Sequence, residues 1–292
     1  MNIVQGDTID QKAGSFHRGG SAKYTHLLDG DAASPIDNYS LIIARTPSRF
    51  SPRHRHNFEQ FRFQIEGTAD YGRTGKLKPG MLGYYPEGVH YGPQTQGEGE
   101  DLAMLVLQCG GASGGGYAGR AAVIRAQAEL RDQGTFKDGV FHRNEGLPGK
   151  RNLDGFQAIW EHLNGRALVY PKPRYEVPIL MQPENYAYVP LPDAEGVSEK
   201  RLGVFTEYRS EAGMVRMEAG STYSPVGKRD IFFVLSGKGR AGREPLRRFT
   251  TVYLDFDETV TLRADEEVEM LRLRMPDLRP LIVQQGMQVA AE

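Results

Sequence analysis

Two features of secreted proteins are missing from this chain, namely paired cysteines and a signal sequence. Cys109 is its only cysteine, so no internal disulfide can form. Residues 1–10 contain no basic segment followed by an apolar core, which a secretory signal requires. Because disulfides accumulate in oxidising compartments, both absences favour a cytoplasmic protein.

The chain also lacks long apolar runs and an excess of charge of either sign. No run approaches the roughly 18 consecutive apolar residues of a membrane helix. Its 36 lysines and arginines oppose 37 aspartates and glutamates, which leaves a net charge of −1. Without a basic stripe or a nucleic-acid motif, we expect neither nucleic acid nor membranes as partners. We expect a small-molecule substrate instead.

Glycine and proline, in contrast, are abundant and spread along the chain. The 35 glycines and 17 prolines are typical of many short strands joined by tight turns. Runs rich in β-branched and aromatic residues recur at 39–44, 60–65, 81–85, 102–107, 203–208, 214–217, 231–235, 251–256 and 268–274. Helical periodicity is limited to 120–132 and 155–163. At 292 residues, the sequence predicts an all-β protein with two domains.

A pair of histidines, His54 and His56, is the clearest chemical signal in the sequence. They lie two residues apart in a segment whose flanks favour a strand, so both imidazoles point to one face. His90 follows about one hairpin later, where glycine and proline mark turns at both ends of a short strand. Three neutral imidazoles on one face suit a first-row divalent metal ion.

The segment around this pair resembles the first motif of the cupin family, Gly-x5-His-x-His-x3-4-Glu-x6-Gly. His54, His56 and Gly67 match the motif, whereas residues 47–49 stand where its opening glycine would fall. Gln60 occupies the position seven residues before the closing glycine, where the family carries a carboxylate ligand. The resemblance therefore implies that Gln60 is a fourth metal ligand.

The later segment resembles the second cupin motif, Gly-x5-Pro-x-Gly-x2-His-x3-Asn. Gly80, Pro86, Gly88 and His90 match it, apart from one missing residue before the histidine, and Gln94 stands where asparagine is usual. The resemblance implies a jelly-roll barrel, also called a double-stranded β-helix, with His90 as the third histidine ligand.

A weaker copy of the first motif lies at 220–237. Asp230 stands seven residues before Gly237, but no histidines occupy the ligand positions, and 250–261 contains none where the second motif should fall. We therefore predict a bicupin whose second barrel cannot assemble the same ion. That barrel would serve structure, oligomerisation or closure of the first barrel, although Arg229 and Asp230 leave open a site of a different kind.

The predicted domains follow from these motifs. Residues 1–110 are predicted to form an N-terminal cupin barrel with the metal site. Residues 111–174 are predicted to form a Gly-rich and helical linker, because 110–119 is flexible by composition and the two helical segments follow it. Residues 175–292 are predicted to form a degenerate, metal-free C-terminal barrel.

The fourth ligand depends on which face of the strand at 60–65 lines the barrel. Alternation puts Gln60, Arg62 and Gln64 on one face and Glu59 on the other, together with the intervening phenylalanines. Motif spacing favours Gln60. Burial of the phenylalanines and charge chemistry favour Glu59, which would make the pocket apolar. We adopt Gln60 and keep Glu59 as the alternative.

The expected substrate follows from the charge of the ligands. With three histidines and Gln60 every protein ligand is neutral, so the ion would favour an anionic bidentate substrate such as an enolate, catecholate, hydroxy acid or keto acid. Arg62 could pair with its carboxylate from the same face, with Gln64 beside it as a second catalytic candidate. Alternatively, Arg62 forms a salt bridge to Glu66 or Asp70 outside the barrel.

The family resemblance implies one divalent ion, with Fe(II) preferred and Mn, Ni, Cu or Zn as alternatives. It leads us to expect an Fe(II) dioxygenase that acts on a small anionic or aromatic substrate, and a homodimer. A non-redox isomerase, lyase or hydrolase is the alternative among enzymes. A non-catalytic small-molecule-binding bicupin is the alternative outside them.

Overall fold

The structure is a computed structural model that describes residues 1–15, 21–34, 36–46, 50–96 and 101–285. It divides into two units, an N-terminal unit, Gln11–Leu180, and a C-terminal unit composed of Met181–Glu292 with Met1–Asp10. The predicted all-β fold is confirmed, because strands dominate both units and the described residues contain only three short α-helices. None of the helices in these ranges has the length and apolar composition needed to span a bilayer.

The strands of the first 181 residues are β1 (Asn2–Gln5), β2 (Lys12–Ser15), β3 (Ser21–Asp29), β4 (Tyr39–Thr46), β5 (Glu59–Glu66), β6 (Ala69–Asp70), β7 (Lys76–Leu77), β8 (Leu82–Tyr85), β9 (Thr95–Gln96), β10 (Leu102–Cys109), β11 (Gly134–Lys137), β12 (Val140–Arg143), β13 (Asn152–Asp154) and β14 (Ile179–Met181). The later strands are β15 (Val189–Pro190), β16 (Val197–Val204), β17 (Glu211–Met217), β18 (Thr222–Tyr223), β19 (Asp230–Ser236), β20 (Gly239–Ala241), β21 (Glu244–Leu246), β22 (Thr250–Leu254), β23 (Leu262–Ala264) and β24 (Val268–Arg274). The α-helices are α1 (Arg120–Leu130), α2 (Gly155–Asn164) and α3 (Arg279–Gln285), and short 3-10 helices lie at Gly6–Thr8, Gly72–Thr74 and Pro183–Asn185.

The N-terminal unit is built on a seven-stranded sheet with the order β14–β8–β5–β10–β4–β3–β2 and a three-stranded sheet with the order β7–β6–β9. Arg62 of β5 pairs with Gly83 of β8 on one side and with Val106 of β10 on the other. Val106 in turn pairs with Ile42 of β4. Because directly opposed residues of antiparallel strands share a face, these residues form a row across the sheet. That row lines the barrel lumen, since Arg62, Val106 and Ile42 all border its cavity.

The helices α1 and α2 belong to the N-terminal unit and do not link two domains. Leu130 of α1 and Ile159 of α2 are buried in one cluster with Phe141 of β12. Asp154 caps α2 by accepting hydrogen bonds from two backbone N–H groups, which satisfies donors that a helix start leaves unpaired. The predicted linker at 111–174 is therefore corrected, because the apolar faces of these helices are buried within the first domain.

The Gly-rich run after β10 is tied to the barrel. Glu87 is buried and accepts hydrogen bonds from the backbone N–H of Ser113, at 2.9 Å, and from its hydroxyl. Asn57 donates its side-chain amide to the carbonyl oxygens of Gly115, at 3.1 Å, and Gly116, at 3.3 Å. Composition predicted a flexible segment here, but the buried carboxylate and amide fix its path.

The C-terminal unit repeats the plan with a seven-stranded sheet, β1–β22–β19–β24–β17–β16–β15, and a four-stranded sheet, β18–β23–β20–β21. Its edge strand β1 comes from the start of the chain and pairs with β22 in antiparallel register, Asn2 opposite Tyr253. The prediction that the N-terminal domain begins at residue 1 is therefore corrected. The first ten residues belong to the second barrel because β1 adds to its sheet, a long-range pairing that local sequence does not reveal.

Charged side chains in the second barrel compensate one another. Asp230 is buried and accepts two hydrogen bonds from Arg274, each 3.0 Å long, and Arg274 also donates to Glu211 at 2.9 Å. Arg229 donates to the carbonyl oxygen of Pro276 at 2.9 Å. The two residues that left open a different kind of site are thus engaged in bonds within the unit.

The closing glycine of the first motif offers a test of the barrel geometry. Gly67 has a φ of +67°, and an added Cβ would lie 2.5 Å from the carbonyl oxygen of Asp101. Gly80 has a φ of +82° but has no neighbour within 4 Å of such a Cβ. Gly80→Ala should therefore cost only the conformational term of roughly 1 kcal/mol. Gly67→Ala should cost about 3 kcal/mol or more, because backbone must also move.

Unfolding in urea, followed by the fluorescence of Trp160, checks this pair of variants. Trp160 is the only tryptophan and lies buried in the N-terminal unit, so it reports on that unit. Equal losses of stability in the two variants would contradict the close approach at Gly67.

Candidate functional site

Two chain segments bring the candidate side chains together. Ser51 bridges to Gln94, and His54 exchanges both backbone hydrogen bonds with Tyr91, at 3.1 and 3.0 Å. The N–H of Gly88 donates to the carbonyl oxygen of His56 at 2.8 Å. The segment that carries the histidine pair therefore runs antiparallel to the one that carries the second motif. Opposed residues share a face, so Tyr91 lies beside His54 in the lumen.

This register excludes His90 from the lumen. Alternation turns the neighbour of an inward-facing residue outward, and the His90 side chain is exposed. Partial burial and then the positive charges of Arg55 and Arg53 lower the pKa of His90, which places it among the outward-facing arginines. The prediction that His90 is a metal ligand is corrected. The missing residue before this histidine in the motif was the sequence signal, since restoring the spacing selects position 91.

Tyr91, which the sequence analysis missed, is the centre of the site. Its hydroxyl oxygen lies 3.0 Å from Nε2 of His54 and 3.1 Å from Nδ1 of His56. Arg62 donates to it through Nη2 at 2.9 Å. Two imidazoles and a guanidinium thus meet at one phenol oxygen, all of them buried.

The histidine rings are held by their surroundings. Nδ1 of His54 lies 2.6 Å from the carbonyl oxygen of Pro52, which can only accept, so this nitrogen carries the proton and Nε2 presents its lone pair to the lumen. The ring of His56 stacks on Phe58, with centroids 4.4 Å apart, and meets the edge of Phe156 at 5.3 Å. Both imidazoles therefore have one orientation, as preorganised ligands or acid–base groups require.

Gln60 and Glu59 lie on opposite faces of β5. Gln60 is in the lumen, where its amide oxygen accepts from Nε of Arg62 at 2.9 Å and its amide nitrogen donates to Nδ1 of His56 at 2.5 Å. Glu59 is buried on the other face, where burial and then its charge raise the pKa of Tyr84. Gln60 turns its oxygen to Arg62 and positions the His56 ring with its nitrogen, and its role as a metal ligand stays a prediction.

Arg62 lies in the lumen and not outside the barrel. Glu66 pairs with Arg45 at 2.8 Å and Asp70 pairs with Lys76 at 3.1 Å. Both carboxylates of the alternative prediction therefore pair with other cations and not with Arg62. The Arg62 guanidinium donates instead to the side-chain oxygens of four neutral residues: Gln60 and Tyr91, with Tyr71 and Gln94 on Nη1 at 2.9 and 3.1 Å. Among the described residues, no carboxylate compensates its charge.

Gln64, the other predicted catalytic residue, does not border the cavity. It is buried on the lumen side of β5, but its amide nitrogen donates to the backbone carbonyl oxygens of Glu66, at 2.6 Å, and Ala103, at 3.3 Å. Ala103 lies where the pairing of β5 and β10 shifts register. Gln64 is thus tied to the backbone at this irregularity, and its catalytic role stays a prediction.

The predicted ligand set therefore does not assemble, but a different one does. Within the described part of the chain, no three His, Cys, Asp or Glu side chains come together as metal ligands. Adjacent ligands of a first-row ion, each about 2 Å from it, lie about 3 Å apart. The nitrogens of His54 and His56 stand at this separation from the oxygen of Tyr91. Two imidazoles and a phenol therefore fit a divalent ion, which would replace the hydrogen bonds between them and the one that Nδ1 of His56 accepts from Gln60.

A cavity of about 490 Å³ opens from these residues. His54, His56 and Arg62 form its polar end. Apolar and aromatic side chains from the sheet, from α1 and from α2 line most of the remainder, among them Tyr24, Ile42, Val106, Tyr117, Val123 and Phe156. Its size is that of a small-molecule site. The arrangement suits an acid with an apolar or aromatic body.

Comparison with known proteins identifies the fold. No protein-family model matches the chain, and no curated protein matches its sequence. Solved structures do match. A proposed dioxygenase from Nostoc punctiforme has a TM-score of 0.64 at 13% identity, with 99% of this chain and 84% of that chain covered. A glyoxylate-induced protein from Pseudomonas aeruginosa has a TM-score of 0.57 at 11% identity, with 99% and 90% covered. Oxalate decarboxylase from Bacillus subtilis has a TM-score of 0.53 at 14% identity, with 99% and 83% covered.

All three are cupin-type proteins, and oxalate decarboxylase is a bicupin. The chain has their two-barrel cupin fold, as its motifs predicted. At identities this low the likeness establishes the fold and leaves the activity to be argued from the site.

The placement of Tyr91 and His90 can be tested by NMR of the seven histidine rings. Tyr91→Phe removes the hydroxyl that both buried imidazoles contact, so the ring resonances of His54 and His56 should shift. His90→Asn should delete one set of resonances and leave the other six in place. Movement of the buried pair in His90→Asn, with none in Tyr91→Phe, would contradict the register.

Proposed function

We propose that the N-terminal barrel is the active site of a metal-dependent enzyme of the dioxygenase type, which acts on a small acid with an apolar or aromatic body. The observation that carries the proposal is the separation of the His54 and His56 nitrogens from the Tyr91 oxygen, 3.0 and 3.1 Å. Two structural neighbours support it, the proposed dioxygenase and oxalate decarboxylase with its Mn(II) centres. Fe(II) is the preferred ion.

Each group of residues in the site has a separate role in the proposed reaction. His54, His56 and Tyr91 would hold the ion, which supplies Lewis acidity and one-electron chemistry with oxygen. Arg62 binds the acidic group of the substrate, because a guanidinium stays charged and its four neutral partners leave that charge to an anion. Phe156, beside the His56 ring, contributes to an apolar wall that keeps water from the reacting atoms.

A second candidate is a non-redox reaction, namely decarboxylation or isomerisation of the same acid. The observation that favours it is the contact of the Tyr91 hydroxyl with Nε2 of His54 at 3.0 Å and with the Arg62 guanidinium at 2.9 Å. A phenol between a base and a cation can hold or release a proton at its oxygen, which is the requirement for general acid–base catalysis.

Metal content tests the ligand set. The double variant His54→Asn/His56→Asn should lose its metal, and Tyr91→Phe should bind it more weakly, because each change removes donor atoms. His90→Asn is the matched control and should keep the wild-type content of one ion per chain, since its ring faces outward. Elemental analysis of each protein after loading with Fe(II) or Mn(II) and dialysis gives the result. Retention of metal by the double variant would contradict the assignment of His54 and His56 as ligands.

Substrate binding and oxygen consumption test the role of Arg62. Arg62→Lys keeps the charge but loses the planar fork that contacts four side-chain oxygens, so affinity for acidic substrates should fall about 10- to 100-fold. Arg45→Lys is the matched control, because Arg45 pairs with Glu66 outside the lumen. Oxygen uptake by the iron-loaded protein, over a panel of aromatic and hydroxy acids, separates the two reactions. Turnover without oxygen uptake selects the non-redox candidate.

A further inference from the structure

Besides Arg62, two cationic residues line the cavity, Arg120 and the exposed Arg131. Arg120 begins α1, and its guanidinium lies over the ring of Tyr24 at 4.5 Å from the ring centroid. It forms no hydrogen bond or ion pair with the other described residues. Gly14 makes room for it, because a Cβ there would lie 2.9 Å from Nη2 of Arg120. The guanidinium is therefore placed by packing, and none of the other described residues uses its hydrogen-bonding groups.

The positive charge of Arg120 acts on a titratable group of the neighbouring strand. His26, two residues from Tyr24 on β3, has its pKa lowered by burial and then by the positive charge of Arg120, which outweighs the opposing effect of Asp29. At Tyr117, in contrast, the negative charge of Asp29 has the larger effect on the pKa and Arg120 the smaller, so Asp29 compensates part of the positive charge.

The sheet register separates Arg120 from Arg62. Arg62 is on β5 and Tyr24 is on β3, with β10 and β4 between them. Three inter-strand spacings of about 4.8 Å put the two backbones about 14 Å apart along the sheet. Val106 and Ile42 line the cavity across this interval. The cavity therefore has a cation at each end and an apolar wall between them.

Exposed apolar side chains mark the rim of the cavity. Ile124, one turn along α1, and Phe50 both line the cavity, and each keeps 53% of its surface exposed. Exposed apolar side chains at the rim of a pocket are typical of a ligand entrance. A ligand that entered here would place one end near Arg120 when its other end reached Arg62.

We infer that Arg120 is the second anchor of the substrate, and that the cavity takes an elongated acid with an anionic group at each end of an apolar body, as in an α,ω-dicarboxylate. The inference rests on the proposed function only in taking this cavity as the substrate site. Arg120 would be a specificity residue, because it selects the distal group and touches none of the groups around Tyr91.

Calorimetric titration with decanedioate and decanoate tests the inference, because the two probes differ by one acidic group. The full-length protein, without added metal, should bind decanedioate about tenfold more tightly than decanoate. Arg120→Gln should abolish that preference and leave decanoate binding unchanged. Arg120→Lys, which keeps the charge, should retain part of the preference. Arg125→Gln is the matched control on the same helix, since Arg125 is exposed, lies 3.9 Å from Glu129 and does not line the cavity.

Two results would overturn the inference, namely equal affinity of the wild type for both probes and an undiminished preference in Arg120→Gln. If Arg120→Gln does not fold, its binding of decanoate also becomes weaker. The Arg120→Lys protein then tests whether Arg120 determines the preference for decanedioate. The titration is independent of metal and oxygen. A preference for decanedioate without oxygen uptake in the loaded protein would therefore refute the dioxygenase reaction alone, whereas uptake without the preference would refute the second anchor alone.

Discussion

The buried positive charge of Arg62 is the constraint on which the N-terminal site depends. A guanidinium removed from water must direct its N–H groups to acceptors, and here these are the side-chain oxygens of Gln60, Tyr71, Tyr91 and Gln94. This demand decides which way the Gln60 amide points and fixes the Tyr91 hydroxyl. The imidazoles then follow, because each of them contacts one or both of these groups. The charge itself remains uncompensated by any described carboxylate, and the proposal of an acidic substrate rests on this.

The two barrels share one architecture but differ in how buried charge is paired. In the second barrel Asp230, which stands seven residues before the closing glycine as Gln60 does in the first, is fully paired with Arg274. Its lumen is otherwise filled by a large apolar cluster. Charge that is neutralised within the protein contributes to packing, whereas charge left without a counterion is available to a ligand. The chemistry of this chain is therefore expected in the first barrel.

Positions 90 and 91 show that a register shift of one residue changes which side chain enters the lumen. Side chains alternate across a strand, so a shift by one exchanges the lumen for solvent. The bridge between His54 and Tyr91 selects the phenol and turns His90 outward. The site is consequently built from two imidazoles, one phenol and one guanidinium, whereas the prediction combined three imidazoles and an amide with the same guanidinium.

Local sequence determined the strand-rich fold, the two barrels and the inward-facing pair His54 and His56, because turn residues and alternation act within a few residues. It also placed Arg62 on the face opposite Glu59. The tertiary structure alone decided that β1 joins the second barrel and that α1 lines the cavity with Arg120. It also decided that Tyr91 meets both histidines, which the sequence signalled only through the motif's missing residue before His90. These features depend on pairings between residues that are distant in sequence, and no local pattern specifies which distant strand or helix supplies the partner.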